Sequence, residues 1–441
     1  MIYSGKKAVV LGLGHSGEAA SVLLHEEGAD VTICESGDNE SLREKAARLE
    51  AQGIKVLLGA AADTDPISYD VCVLSPGIDP VVPLVQNVLK KRTPIIGELE
   101  LAFEECVCPV IAITGTNGKT TTTELTTAML QGYGLRAMSS GNIGLPFATA
   151  VRQSHELDVM VLEVSSFQLE TIKAFRPQVA AWLNLSPNHL DRYRDVEEYR
   201  NAKLRIFENQ TAEDYAVINA REELPESPAR KITFSAYTDQ ADFTLQGTVI
   251  YFRGQPVLDQ ATTKLPGVHN AENLMAALGM GYALGLDFER MAAAVTEYTA
   301  PAHRCEFVRE LDGVRWINDS KATNLDSVEK AVLSQNGPLI LIAGGKDKGF
   351  EFDPIAPLIR ERVRIAVLIG QMKERIAHSW SGVDCRIAES LEEAVTLAHS
   401  VAKPGETVLF SPGTSSFDMF RNYGERGNRF KETVNSLRTS H

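Results

Sequence analysis

The sequence predicts an α/β fold in three domains, and three observations carry that prediction. The chain has 441 residues, more than one hydrophobic core usually serves, since domains cluster at roughly 100 to 200 residues. Short apolar runs alternate with helical stretches, the pattern of parallel sheets joined by crossover helices. That pattern restarts near Glu98 and again after Pro301, which sets the expected domains at 1–97, 98–301 and 302–441.

In the first segment, Lys7 to Leu13 reads as a strand, Gly17 to Glu26 as a helix and Asp30 to Glu35 as a second strand. Strand Asp70 to Leu74 then runs into the turn Ser75-Pro76-Gly77. The second segment holds strand Val110 to Ile113, a helix from Lys119, and strands Asp158 to Glu163 and Val179 to Leu185. The run Phe243 to Val257, broken at Arg253-Gly254, reads as an antiparallel hairpin. The third segment carries strands Val314 to Ile317, Leu339 to Ala343, Ile365 to Ile369 and Thr407 to Phe410.

Hydrophobic residues at 44% and charged residues at 23% leave apolar material for several cores and exclude large-scale disorder. A net charge of −14 argues against general affinity for nucleic acid, which rests on basic patches. The longest apolar runs, such as Leu339 to Ala343, fall far short of the roughly 20 residues that span a bilayer. No cationic and apolar leader precedes the first strand, so a cytoplasmic protein with no membrane partner is expected. Of six scattered cysteines, Cys106 and Cys108 form the one close pair. With no second pair at zinc-ligand spacing, packing is the expected role.

Thr114-Gly115-Thr116-Asn117-Gly118-Lys119-Thr120-Thr121 lies between an apolar strand and a helix and reads as a P-loop. Glycines let backbone amides close around a triphosphate at a helix N-terminus, Lys119 brings charge to its β and γ phosphates, and Thr120 offers a hydroxyl to Mg²⁺. The general pattern wants glycine at position 113, where this chain has Ile113. Metal ligands are expected at the ends of neighbouring strands. Glu163 closes one strand and His189 follows another, whereas Lys203 reads by spacing alone as a surface helix lysine.

Gly12-Leu13-Gly14-His15-Ser16-Gly17 follows a strand, opens a helix and is trailed by Glu35, which satisfies the dinucleotide fingerprint. Taken alone it points to a dehydrogenase. The fingerprint specifies a pyrophosphate, however, and UDP carries one as well as NAD. A non-catalytic nucleotide switch is the other rival, and it leaves the lysines and serines of the third segment unused.

The strings TGTNGKTTT (114–122), LEVSSFQLE (162–170), NHLDRY (188–193), NAKLRIFEN (201–209) and GVHNAENLMAA (267–277) resemble the central domain of Mur ligases. The third segment carries HRCE (303–306), NDSKATN (318–324), GGKDKGFEF (344–352) and SPGTSSFDMFRNYGERG (411–427), of which DSKATN and the SSFDMF segment resemble the D-glutamate-adding members of that family. The resemblance implies a Rossmann-like first domain for UDP, a P-loop ATPase-like central domain and a Rossmann-like third domain for the amino acid. The implied substrates are ATP, UDP-N-acetylmuramoyl-L-alanine and D-glutamate, with two Mg²⁺ ions, and a monomer is expected.

Residue by residue, the resemblance implies that Thr120, Glu163, His189 and a carbamylated Lys203 hold metal. Gly115 to Thr121, Asn270, Asn273, Arg304 and Asp319 would bind ATP, with Arg304 at its phosphates and Asp319 at its ribose. Gly14, His15, Ser16, Glu35, Ser36, Ser75, Pro76, Gly77, Asn142, Ser165 and Gln168 would hold the UDP-linked substrate. Lys321, Thr323, Lys348, Ser416 and Tyr423 would surround D-glutamate. A dicarboxylate in a net-acidic protein needs such placed cations and hydroxyls. Tyr423 stands where family members usually carry phenylalanine.

Overall fold

A computed structural model describes residues 2–63, 67–186, 192–299, 302–335, 337–347 and 349–439, apart from the side chains at 63, 326 and 330. The chain divides into two compact units, Met1–Thr299 and Ala300–His441.

The first unit holds two sheets. Strands β1 (Lys7–Leu11), β2 (Asp30–Glu35), β3 (Lys55–Leu58), β4 (Val71–Leu74) and β5 (Ile95–Gly97) form a parallel sheet in the order β3-β2-β1-β4-β5. The strand order reverses between β1 and β4, which opens a crevice at their carboxyl ends. The second sheet comprises β6 (Val110–Thr114), β7 (Ala137–Gly141), β8 (Val159–Glu163), β9 (Val179–Trp182), β10 (Tyr215–Asn219), β11 (Arg230–Ser235), β12 (Phe243–Gln246), β13 (Val249–Phe252) and β14 (Gln255–Asp259). Its order is β14-β13-β12-β11-β10-β9-β6-β8-β7.

Strand β6 lies between β8 and β9 and is buried along its whole length. Ala112 packs into one apolar cluster and Ile111 with Ile113 into another, so both faces of the sheet are covered. The first of those clusters also takes in Val10, Leu99 and Phe147, giving one continuous core from the first sheet to the second.

The expected hairpin at 243–257 is instead a three-stranded antiparallel meander. A turn at Gly247, with φ +61°, adds a second reversal to the one at Arg253-Gly254. Strands β3, β5 and β7 did not stand out from their surroundings in the sequence.

The second unit holds one sheet of β15 (Glu306–Leu311), β16 (Val314–Asn318), β17 (Leu339–Gly344), β18 (Val363–Ile369), β19 (Asp384–Ile387) and β20 (Thr407–Phe410) in the order β15-β16-β20-β17-β18-β19. Only the edge pair β15 and β16 is antiparallel. Among the described residues no helix is long and apolar enough to cross a membrane.

Candidate active site

The chain leaves β6 into the loop Gly115 to Gly118 and enters the helix Lys119–Tyr133. Gly118 adopts φ +83°, and a Cβ there would meet Asn273 Oδ1 at 2.7 Å, so both conformation and space demand glycine. Ile113, where a longer loop would place glycine, is fully buried in β6 and paired in register with Glu163. The loop is therefore one that begins later, after a strand that runs further.

Asn184, just beyond β9, clamps the loop. Its carbonyl accepts from Thr116 N at 2.9 Å, its side-chain oxygen accepts from Asn117 N at 2.8 Å, and its Nδ2 donates to Asn117 O at 3.0 Å. Thr116 Oγ1 accepts from Ser186 N. Lys119 Nζ folds back to donate to the carbonyls of Gly115 and Thr116, at 3.1 and 2.9 Å. Asn273 accepts from Thr122 Oγ1 at 3.1 Å and donates to Asn270 Oδ1 at 3.3 Å, bracing the phosphate-loop helix from the helix Val268–Ala283. Thr121 lies half-buried in the first turn.

Glu163, at the end of β8, is 1% exposed. One carboxylate oxygen accepts from Thr120 Oγ1 at 2.7 Å and the other from Asn142 Nδ2 at 2.8 Å. Lys203, on the helix Val196–Leu204, is equally buried at 1%. Its Nζ donates to Thr114 Oγ1 at 3.3 Å. The surface position that spacing suggested for Lys203 is thus corrected: with Tyr199 and Ala202 it forms the buried stripe of its helix. Burial, then the charge of Lys119, drives its pKa well below the ordinary lysine range against the pull of Glu163. His189 lies outside the described residues, as does Lys348.

Among the described residues no group of three His, Cys, Asp or Glu side chains could hold a metal ion. The Thr120 hydroxyl and Glu163 carboxylate are oxygen donors on adjoining segments, a chemistry that fits a hard cation such as Mg²⁺.

Ser165 and Gln168 form a reciprocal cap on the short helix Ser166–Leu169, and both side chains are engaged in it. In the first sheet, Gly14 caps the helix His15–Glu26 with exposed His15 and half-buried Ser16 in its first turn. Glu35 accepts from Leu13 N at 2.9 Å and Gly37 N at 2.8 Å, so its carboxylate braces the glycine loop. Across the crevice, half-buried Pro76 and exposed Gly77 follow Ser75, and Ser36 is exposed beside Glu35. Ser75 Oγ is buried with no hydrogen-bond partner among the described residues, a polar group left for something else to satisfy.

In the second unit the described candidate residues lie around the carboxyl ends of β16 and β20. Arg304 is flanked by two non-glycine residues in the left-handed region, His303 at φ +65° and Cys305 at φ +42°. His303 links the neighbours of Arg304. Its carbonyl accepts from Lys321 N at 2.9 Å, its Nδ1 lies 2.9 Å from Asn318 Nδ2, and its ring meets Tyr423 edge-on at 6.3 Å. Asp319 is buried, accepting from Cys305 N at 3.1 Å and Ser411 Oγ at 2.7 Å, and burial pushes its pKa up to about 6. Lys321 is exposed, Thr323 half-buried, Ser416 buried and Tyr423 42% exposed.

Arg426 escaped the sequence reading. It is 1% exposed, donates to Ser320 O at 2.9 Å, Ser320 Oγ at 3.1 Å and Thr414 O at 3.2 Å, and so ties the loop after β16 to the loop after β20. The signal was available: Arg426, Phe430 and Val434 form the buried stripe of the helix Tyr423–Ser436 at a spacing of four. Asn184 offered only an asparagine at a strand end.

Three family models match the chain: a MurD-like N-terminal Mur ligase domain over residues 6–97, a Mur ligase middle domain over 113–281 and a Mur ligase glutamate ligase domain over 303–413. The UDP-N-acetylmuramoylalanine--D-glutamate ligase of Geobacter metallireducens is 44% identical over 449 residues, covering 100% of this chain and 99% of its own. The protein of that name from Pelobacter propionicus is 44% identical, covering 99% and 100%. Among solved structures, a murein peptide ligase of Psychrobacter arcticus shares the fold at TM-score 0.52 and 15% identity, covering 99% of this chain and 100% of its own. On a full-length likeness of this strength, the chain belongs to the Mur ligase family, in its UDP-N-acetylmuramoylalanine--D-glutamate ligase branch.

Proposed function

We propose that this chain is an ATP-dependent amide ligase that adds D-glutamate to UDP-N-acetylmuramoyl-L-alanine through an acyl phosphate, in the cytoplasmic synthesis of peptidoglycan precursors. The observation that carries this reading is the buried arrangement beside the phosphate loop, in which Thr120 bonds Glu163 and the Lys203 amine is held toward its neutral form. An amine that is neutral at working pH can capture CO₂, and the resulting carbamate is an oxygen ligand where the sequence has a cation. The names of the full-length relatives support the choice of substrates.

In this reading residues 1–97 hold the UDP end, 98–301 hold ATP and 302–441 hold the amino acid. The amides of the loop and Lys119 take the triphosphate at the N-terminus of the helix Lys119–Tyr133. Mg²⁺, when bound, supplies the positive charge that phosphoryl transfer requires. Thr120, Glu163, His189 and carbamylated Lys203 are assigned to hold it, and Arg304 and Asp319 are assigned to the phosphates and ribose. The γ-phosphoryl group passes to the alanyl carboxylate. The D-glutamate amine then attacks the acyl carbon, and the tetrahedral intermediate expels phosphate. Lys321, Thr323, Lys348, Ser416 and Tyr423 are assigned to D-glutamate.

The test is phosphate release by the purified protein with ATP, Mg²⁺, UDP-N-acetylmuramoyl-L-alanine and a panel of D- and L-amino acids. Release that needs D-glutamate is expected. Release indifferent to D-glutamate overturns the substrate assignment.

A further inference from the structure

The proposed ligase chemistry makes no use of Cys106 and Cys108. They flank Val107 where the chain leaves the helix Glu98–Glu104 and approaches β6. Their sulfurs lie 3.8 Å apart, and Cys106 Sγ also reaches the Cys108 carbonyl at 3.5 Å. Residues two apart cannot have Cα atoms separated by more than roughly 7 Å, the outer edge of what a disulfide bridges. To bond, the sulfurs must close from 3.8 Å to roughly 2.05 Å.

Access favours Cys106 and acidity favours Cys108, because the hydrogen bond between the sulfurs raises the first thiol and lowers the second. Cys106 is half-buried, Val107 is 73% exposed and Cys108 is 8% exposed, so the pair sits near the surface. Loss of a proton from the pair leaves a thiolate that the remaining S–H stabilises. That hydrogen bond holds the Cys108 thiol below the ordinary cysteine range, which favours exchange. Cys34 and Cys72, by contrast, are both buried, and burial pushes the Cys72 thiol up. Among the described residues no third side chain completes a metal site with the pair.

We propose that Cys106 and Cys108 form a reversible dithiol–disulfide site whose oxidants are low-molecular-weight disulfides. A thiolate of the pair attacks one sulfur of the small disulfide, expelling one small thiolate and leaving a mixed disulfide on the protein. The other cysteine gives its proton to solvent, and its sulfur attacks the protein sulfur of the mixed disulfide, expelling the second small thiolate. Two protein thiols lose two electrons, and one small disulfide gains them to become two thiols. The site follows the thiol–disulfide poise of its surroundings, and closure ties the exit of one helix to the approach of the strand that carries the phosphate loop.

The full-length protein, reduced and then freed of reductant, is equilibrated with mixtures of reduced and oxidised glutathione, alkylated and cut with trypsin. No Lys or Arg lies between Arg92 and Lys119, so both sulfurs and no other cysteine fall on the peptide 93–119. As oxidised glutathione rises, that peptide is expected to pass from doubly alkylated to a form two hydrogens lighter than the dithiol, bearing neither alkyl group nor glutathione. Dithiothreitol is expected to reverse it. In Cys106→Ser and Cys108→Ser the surviving thiol is expected to stop at the mixed disulfide. A wild-type peptide that stays alkylated at both cysteines, or holds glutathione without closing, overturns the proposal, and the wild-type peptide decides this by itself.

Discussion

Lys203 Nζ lies over the Tyr199 ring at 4.8 Å from its centroid, on a helix face that is buried. The nitrogen donates to the Thr114 hydroxyl, while Lys119 adds to the cost of its charge. Lys203→Ala is expected to lower kcat by at least about 100-fold, the scale of losing one electrostatic partner of a transition state. Acetate is expected to restore part of it by standing in for the carbamate. Steady-state kinetics with and without acetate check this, and full activity in the unsupplemented variant would remove the carbamate.

Gly118→Ala places a methyl group against Asn273 Oδ1 in a left-handed backbone. The expected loss is about 1–3 kcal/mol of stability and at least about tenfold in ATP affinity, or about 1.4 kcal/mol. Thermal melting and nucleotide titration read the two effects separately. Unchanged ATP affinity would mean that the loop does not need its observed conformation to bind.

Glu98 gives a pH dependence of known sign. It is 2% exposed, one carboxylate oxygen accepts from Ala148 N at 2.6 Å, and the other is buried with no partner among the described residues. Burial raises its pKa to about 7 from an ordinary 4.5. Because the folded pKa is the higher one, the folded state holds a proton that the unfolded state has lost between those values. Stability therefore falls as pH rises from about 4.5 to about 7, by about 3 kcal/mol at most, and levels off above. Glu98→Gln keeps an acceptor for Ala148 N without the charge. Urea unfolding is expected to show it more stable than wild type at pH 8 and not at pH 5; a constant difference at both would contradict the assignment.

Arg426 joins two loops through three acceptors. Its removal in Arg426→Ala is expected to cost about 2–4 kcal/mol by leaving buried acceptors unmet. Arg426→Lys is expected to recover little, since an ammonium cannot reproduce the guanidinium fork. Denaturant midpoints of the full-length variants check this, and wild-type stability in the lysine variant would count against the bridging role.

Much of this was legible in the sequence because it is local. The phosphate loop, the strand ending at Glu163 and the glycine turn before His15 each lie within one strand–turn–helix unit. Burial of Lys203 beside Tyr199 and Ala202 is a tertiary fact, and spacing alone reads a lysine there as a surface residue. Asn184 clamps a loop 67 positions away, and no local pattern announces such a partner. Glu35 matched the fingerprint by spacing, yet its carboxylate is engaged with the backbone amides of Leu13 and Gly37. The reversal at Gly247 was hidden because a single glycine inside an apolar run reads equally well as strand.

The most direct measurement of the central claim is stoichiometric: radiolabelled D-glutamate incorporated into the UDP-linked product, counted against phosphate released in the same reaction. One phosphate per amide bond is predicted, with no product when L-glutamate replaces D-glutamate. Phosphate released without incorporation of D-glutamate would contradict it.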